Sequence, residues 1–136
     1  MGDTNLRAAA EYARLCRLIG KPPLGDCQLV SLMIANAIDG KIVSGFVLFD
    51  EGERWHFWAE DDCQQRYDPL ANDWNELPIS YRAQRVVCRS EILDELSTFL
   101  KHFDYWVSGW QPPHPLRFAL GRELLGWVCP GSPYQS

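Results

Sequence analysis

Residues 26 to 40 read DCQLVSLMIANAIDG, and no other stretch restricts the fold as much. Wound into a helix, Leu29, Val30, Leu32, Met33, Ile34, Ala37 and Ile38 leave little polar face, so such a helix must be covered on most of its sides. Asp26 suits the N-cap, Gly40 suits the C-terminal stop, and Cys27 then falls in the first turn. The remaining chain has to supply the cover.

The segments on either side have the patterns to do so. KIVSGFVLFD (41–50), RWHFWAE (54–60) and RYDPLA (66–71) are rich in β-branched and aromatic residues. Joined by EGE and DDCQQ, they read as three consecutive antiparallel strands, and AQRVVC (83–88) as a further one. Upstream, residues 5–19 place Leu6, Ala9, Ala10, Ala13, Cys16 and Leu15 or Ile19 at helical spacing, with Gly20 as the stop and KPPLGD as a break. Downstream, a helix from Ser90 to about Phe103 turns Ile92, Leu93, Leu96, Phe99, Leu100 and Phe103 inward, and a last helix runs from Pro115 to near Gly126. The expected class is α+β, a small antiparallel sheet packed against helices. A chain of 136 residues suits a single domain, 1–136. Its core is expected at about 5–104, a C-terminal helical extension at about 105–128 and a frayed tail at 129–136.

Charge and composition narrow the function classes. The net charge is −5 with 13 basic residues spread along the chain, which gives no basic face for a phosphate backbone and argues against nucleic acid as partner. No apolar stretch approaches the roughly 20 residues that span a bilayer, and the N-terminus lacks the basic start and apolar run of a secretion signal. A cytoplasmic protein without membrane contact is expected. Five cysteines, 16, 27, 63, 88 and 129, form no CxxC, which argues against a disulfide framework and a zinc ribbon. His102 and His114 have no partners at metal spacing, and the acidic run Glu60, Asp61, Asp62 lacks the glycine turn of a calcium loop. No metal or other cofactor is expected. Tyr105, Trp106, Trp110 and Trp127 form an aromatic group suited to packing or to a substrate groove.

Three residues could do chemistry together. A thiol reacts as its thiolate, which a helix N-terminus favours, and Cys27 sits where such a helix begins. A nucleophile of this type needs an imidazole to exchange its proton and a third group to orient the imidazole. Alternation along a strand puts His56, Trp58 and Glu60 on one face and Trp55, Phe57 and Ala59 on the other. A hairpin can then bring a residue of WHFWAE opposite one of RYDPLA, which permits a hydrogen bond between His56 and Asp68.

GDCQLVSLMIANAIDGKIVSGFVLFD followed by WHFWAEDDCQQRYDP resembles the transglutaminase-like branch of the papain-like cysteine hydrolases. The resemblance lies in a Cys that opens a buried helix, a His in an H-x-W-x-E setting and an Asp in a D-P pair, over residues 25 to about 70. It implies Cys27 as nucleophile, His56 as base and Asp68 as the orienting carboxylate. Residues 20–24, GKPPL, hold no upstream Gln to complete an oxyanion hole, so the Cys27 N–H needs a second donor. Gln28, Trp55 and Trp58 are the candidates. The implied activity is cysteine-dependent acyl transfer on an amide or peptide bond of a protein or peptide substrate, as peptidase, amidase or glutamine deamidase in preference to cross-linking transferase. A non-catalytic protein-interaction module on the same fold is the alternative.

Overall fold

The computed structural model describes residues 2–102 and 115–126. Helix α1 (Gly2–Ile19) leads to α2 (Cys27–Ile38). Strands β1 (Lys41–Phe49), β2 (Gly52–Glu60) and β3 (Arg66–Tyr67) follow, then a 3-10 helix (Pro69–Asp73) and β4 (Ser80–Val87), and α3 (Arg89–Lys101) and α4 (Pro115–Leu125) complete the described chain. The four strands form one antiparallel sheet in the order β3-β2-β1-β4, so the class is α+β. No described helix is long and apolar enough to cross a membrane. Phe103, Tyr105, Trp106, Trp110, His114, Trp127 and Cys129 lie outside the described residues, as do the tail and half of the expected extension.

Helix α2 is buried along Leu29–Ala35 and again at Ile38, as its composition requires. Its covers are α1, the sheet, α3 and α4, which contribute Leu15, Ile42, Phe57, Ala59, Ile92, Leu96, Leu116 and Leu120 to one continuous core. Each such side chain contributes about 1.5–3 kcal/mol when fully removed from water. The helix stops one residue before the expected glycine: Asp39 adopts the left-handed conformation (φ 59°) and its N–H returns to the Ala35 carbonyl. Aspartate tolerates that conformation better than most residues with a side chain.

Helix α1 turns a different face inward from the expected one. Ala8 and Leu15 are buried with Tyr12 and Ile19 against them, whereas Leu6 is 69% exposed and Ala9, Ala10 and Ala13 face solvent. Alanines at several spacings make more than one apolar stripe, and the stripe bearing the larger Tyr12 and Leu15 buries more area. The Tyr12 hydroxyl also donates to Asp73, which ties α1 to the 3-10 helix.

Two strand boundaries differ from the pattern. Only Arg66 and Tyr67 of RYDPLA are in a strand, because Pro69 lacks the N–H a ladder needs and instead starts the 3-10 helix. Strand β4 begins at Ser80, earlier than the expected residue 83, and carries Tyr81 alongside Val47 of β1. The β1–β2 turn is Asp50–Glu51, with Gly52 (φ 132°) already opposite Phe49.

Candidate active site

The loop KPPLGD delivers Cys27 to the first position of α2. Gly25 takes φ 91°, and the Leu24 N–H bonds the Pro22 carbonyl at 2.9 Å, so the chain reverses tightly before the helix. Asp26 stands at the N-cap position but makes no side-chain cap. Its carboxylate, 2% exposed, pairs instead with Arg117 of α4, Nε to Oδ2 at 3.3 Å. The amides of the first turn therefore have no side-chain cap from Asp26, and their partial positive charge lies beside Cys27.

His56 lies on β2 opposite Gly45 of β1. A Cβ at Gly45 would stand 2.2 Å from the Arg82 carbonyl and 2.9 Å from Trp58 Cη2, so only glycine lets β1, β4 and the Trp58 ring approach so closely. The sheet shifts register between Ser44 and Gly45 at the same place. Around the imidazole, which is 5% exposed, Trp58 stacks with a centroid separation of 6.1 Å and Trp74 meets it edge-on at 4.8 Å. The two indoles take the place of water on the ring.

Asp68 is the N-cap residue of the 3-10 helix, just past β3 and not within a strand. Its Oδ2 accepts from His56 Nε2 at 2.9 Å, and both side chains are only 6% exposed. The same oxygen accepts from the Tyr81 hydroxyl at 2.7 Å. The Cys27 side chain lies close enough to His56 to favour its charged form. With Nε2 turned to Asp68, Nδ1 is the ring nitrogen left for another partner. Burial pulls the imidazole toward its neutral form, but the Asp68 hydrogen bond and the influence of Asp68 and Cys27 nearby together outweigh it and push His56 up to about 9. Tyr81 moves upward as well, through burial and the Asp68 charge, and so stays a hydroxyl donor.

Cys27, His56 and Asp68 are thus brought together from three elements. The expected second oxyanion donors are placed differently from one another. Gln28 follows Cys27, and its Oε1 accepts from Arg117 Nη2 at 3.2 Å. Its amide N–H groups are thereby turned away from the guanidinium. Trp58 shares the His56 face, yet its indole N–H is spent on Glu60 at 2.9 Å. Trp55 faces the opposite side of the sheet, half exposed, against Phe46 and Phe57.

Tyr81 and Trp74 are site residues that sequence reasoning missed. Tyr81 had a usable signal: extending the β4 pattern upstream by three residues places it on the sheet. Trp74 had none, because NDWNELP carries no periodicity and its contact with His56 comes from the path of the 3-10 helix.

A sulfur at a helix N-terminus, an imidazole between that sulfur and a carboxylate, and aromatic walls can together move a proton between a nucleophile and a leaving group. The chain matches no family model, no curated protein and no solved structure.

Proposed function

We propose that the protein is a cysteine-dependent acyl-transfer enzyme acting on an amide or peptide bond, built on a transglutaminase-like core. The observation that carries this reading is the position of His56, buried and hydrogen-bonded to Asp68, with the half-buried Cys27 close enough to favour its charged form. Cys27 Sγ, as thiolate, adds to the carbonyl carbon of the substrate. The oxygen gains the negative charge, which the Cys27 backbone N–H and an amide N–H of Gln28 stabilise. His56, as imidazolium, gives its proton to the nitrogen as the C–N bond breaks, leaving a thioester and a free amine. Neutral His56 then takes a proton from water, whose oxygen attacks the thioester; the carboxylic acid leaves and Cys27 returns as thiolate beside the imidazolium. Asp68 holds the ring so that Nδ1 faces sulfur throughout. Water is taken as the acyl acceptor in preference to a second amine.

The test is alkylation by iodoacetamide at pH values from about 5 to 9, followed thiol by thiol by mass spectrometry, for the native chain and His56→Ala. The expected result is that Cys27 labels fastest, keeps its lead at the acidic end and loses it in the variant. Labelling of Cys27 at the rate of the exposed Cys63 and Cys88, or slower, in the native protein would replace this reading with the interaction module.

A further inference from the structure

A cavity of about 1110 Å³ reaches Gln28, the residue after Cys27, and most of its lining comes from elements beyond the stretch resembling cysteine hydrolases. Gln28 of α2 and Phe57, on the sheet face opposite His56, line it together with α3 and α4. The volume slightly exceeds the roughly 300–1,000 Å³ of small-molecule sites, so an amide side chain alone would leave most of it empty. Among the described residues the floor is apolar, made by Phe57, Val87, Ile92 and Phe99.

The charged groups around the floor divide into satisfied and unsatisfied ones. Arg85 forms a two-pronged pair with Glu91 at 2.9 and 3.1 Å, and Arg117 is held by Asp26 and Gln28. Asp94 and Glu95, on the exposed side of α3, make no ion pair among the described residues. On a helix Glu91, Asp94, Glu95 and Thr98 share a face by their spacing, so the mouth presents net negative charge above an apolar floor.

Resting on the cysteine-hydrolase reading above, we infer that this cavity receives a polypeptide segment of the substrate in which a bulky apolar side chain is followed by a cationic one. The apolar side chain fills the floor between Phe57 and Phe99. The cation, Lys or Arg, meets Asp94 and Glu95 at the mouth. A macromolecular substrate held there, away from the reacting bond, supplies binding energy that orients the amide over Cys27.

The experiment uses the full chain carrying Cys27→Ala, which binds without reacting, and fluorescein-labelled tetrapeptide amides Gly-Trp-Lys-Gly, Gly-Trp-Glu-Gly and Gly-Gly-Lys-Gly followed by fluorescence polarisation. The Trp-Lys peptide is expected to bind at least 10-fold more tightly than either of the others. Asp94→Asn with Glu95→Gln should erase its advantage over the Trp-Glu peptide. Thr98→Trp, which fills the cavity from an exposed position, should weaken both Trp peptides at least 10-fold. Equal binding of the three peptides, no measurable binding, or an unchanged Kd in Thr98→Trp overturns the inference. Because these titrations need no thiol and the alkylation experiment needs no cavity, failure here and failure of the proposed reaction are read separately.

Discussion

Tyr81 and His56 share a single oxygen atom: Asp68 Oδ2 accepts from the phenol at 2.7 Å and from the imidazole Nε2 at 2.9 Å. Two donors on one oxygen fix the carboxylate in place from two strands, β4 and β2. The Arg66 guanidinium lies 3.5 Å above the centre of the Tyr81 ring and packs it from the far side. Orientation of the imidazole therefore depends on a residue far along the chain from the D-P pair.

Tyr81→Phe should keep the ring beneath Arg66 and against Trp58 while removing only the hydroxyl. Loss of one hydrogen bond to a charged group costs about 1.5–3 kcal/mol, measurable by urea unfolding. Asp68 then spends more of its charge on the imidazolium, so the His56 titration followed by NMR should move further upward. A variant as stable as the native chain with an unmoved His56 titration would contradict the shared-oxygen arrangement.

His56 also sets a pH dependence of stability. Its pKa rises from 6.5 to about 9 on folding, so the folded chain binds a proton the unfolded chain has lost. The resulting stabilisation is complete below about pH 6.5 and disappears as pH rises through about 9. At about 1.4 kcal/mol per pKa unit the change across that window is roughly 3 kcal/mol. Urea midpoints of the native chain should fall between pH 6.5 and 9, and Asp68→Asn should flatten that decline by removing the charge and the hydrogen bond that hold the proton. A native midpoint that is level through the window would count against a charged His56.

Gly45→Ala tests the close approach behind His56. A methyl group there meets backbone atoms of β4 at 2.2 and 2.9 Å, which cannot yield as a flexible side chain would. The shift needed to relieve it separates β1 from β4 and displaces Trp58. The expected cost is about 1–3 kcal/mol in unfolding free energy, as for other overpacked sites, with slower Cys27 alkylation in the folded population. The comparison Gly121→Ala meets a Leu100 methyl, the mobile end of a side chain, and should cost less.

Much of the layout was legible in local patterns. The near-continuous apolar run of α2, the aromatic content of β2 and the stops at Gly20 and Gly126 each act over a few residues, and each led to the right kind of element. Placement of Cys27 at a helix start and of His56 inside a strand followed from the same short-range signals. Where patterns were degenerate, as in the alanines of α1, a one-position rotation of the helix face was invisible until the rest of the core chose the larger side chains.

What the sequence by itself determined is the identity and order of the elements, because backbone propensity, capping and burial period are properties of neighbours along the chain. Only the tertiary structure decided what surrounds His56 and Asp26. The Trp74 edge, the Tyr81 hydroxyl and the Arg117 guanidinium arrive from 18, 25 and 91 residues away respectively. Those separations are spanned by packing, and no local energy term distinguishes an aspartate that caps its own helix from one that turns to an arginine on the last. Asp26 had the composition of an N-cap and became an ion-pair partner because α4 brought it a cation in a site too buried to leave its charge unanswered.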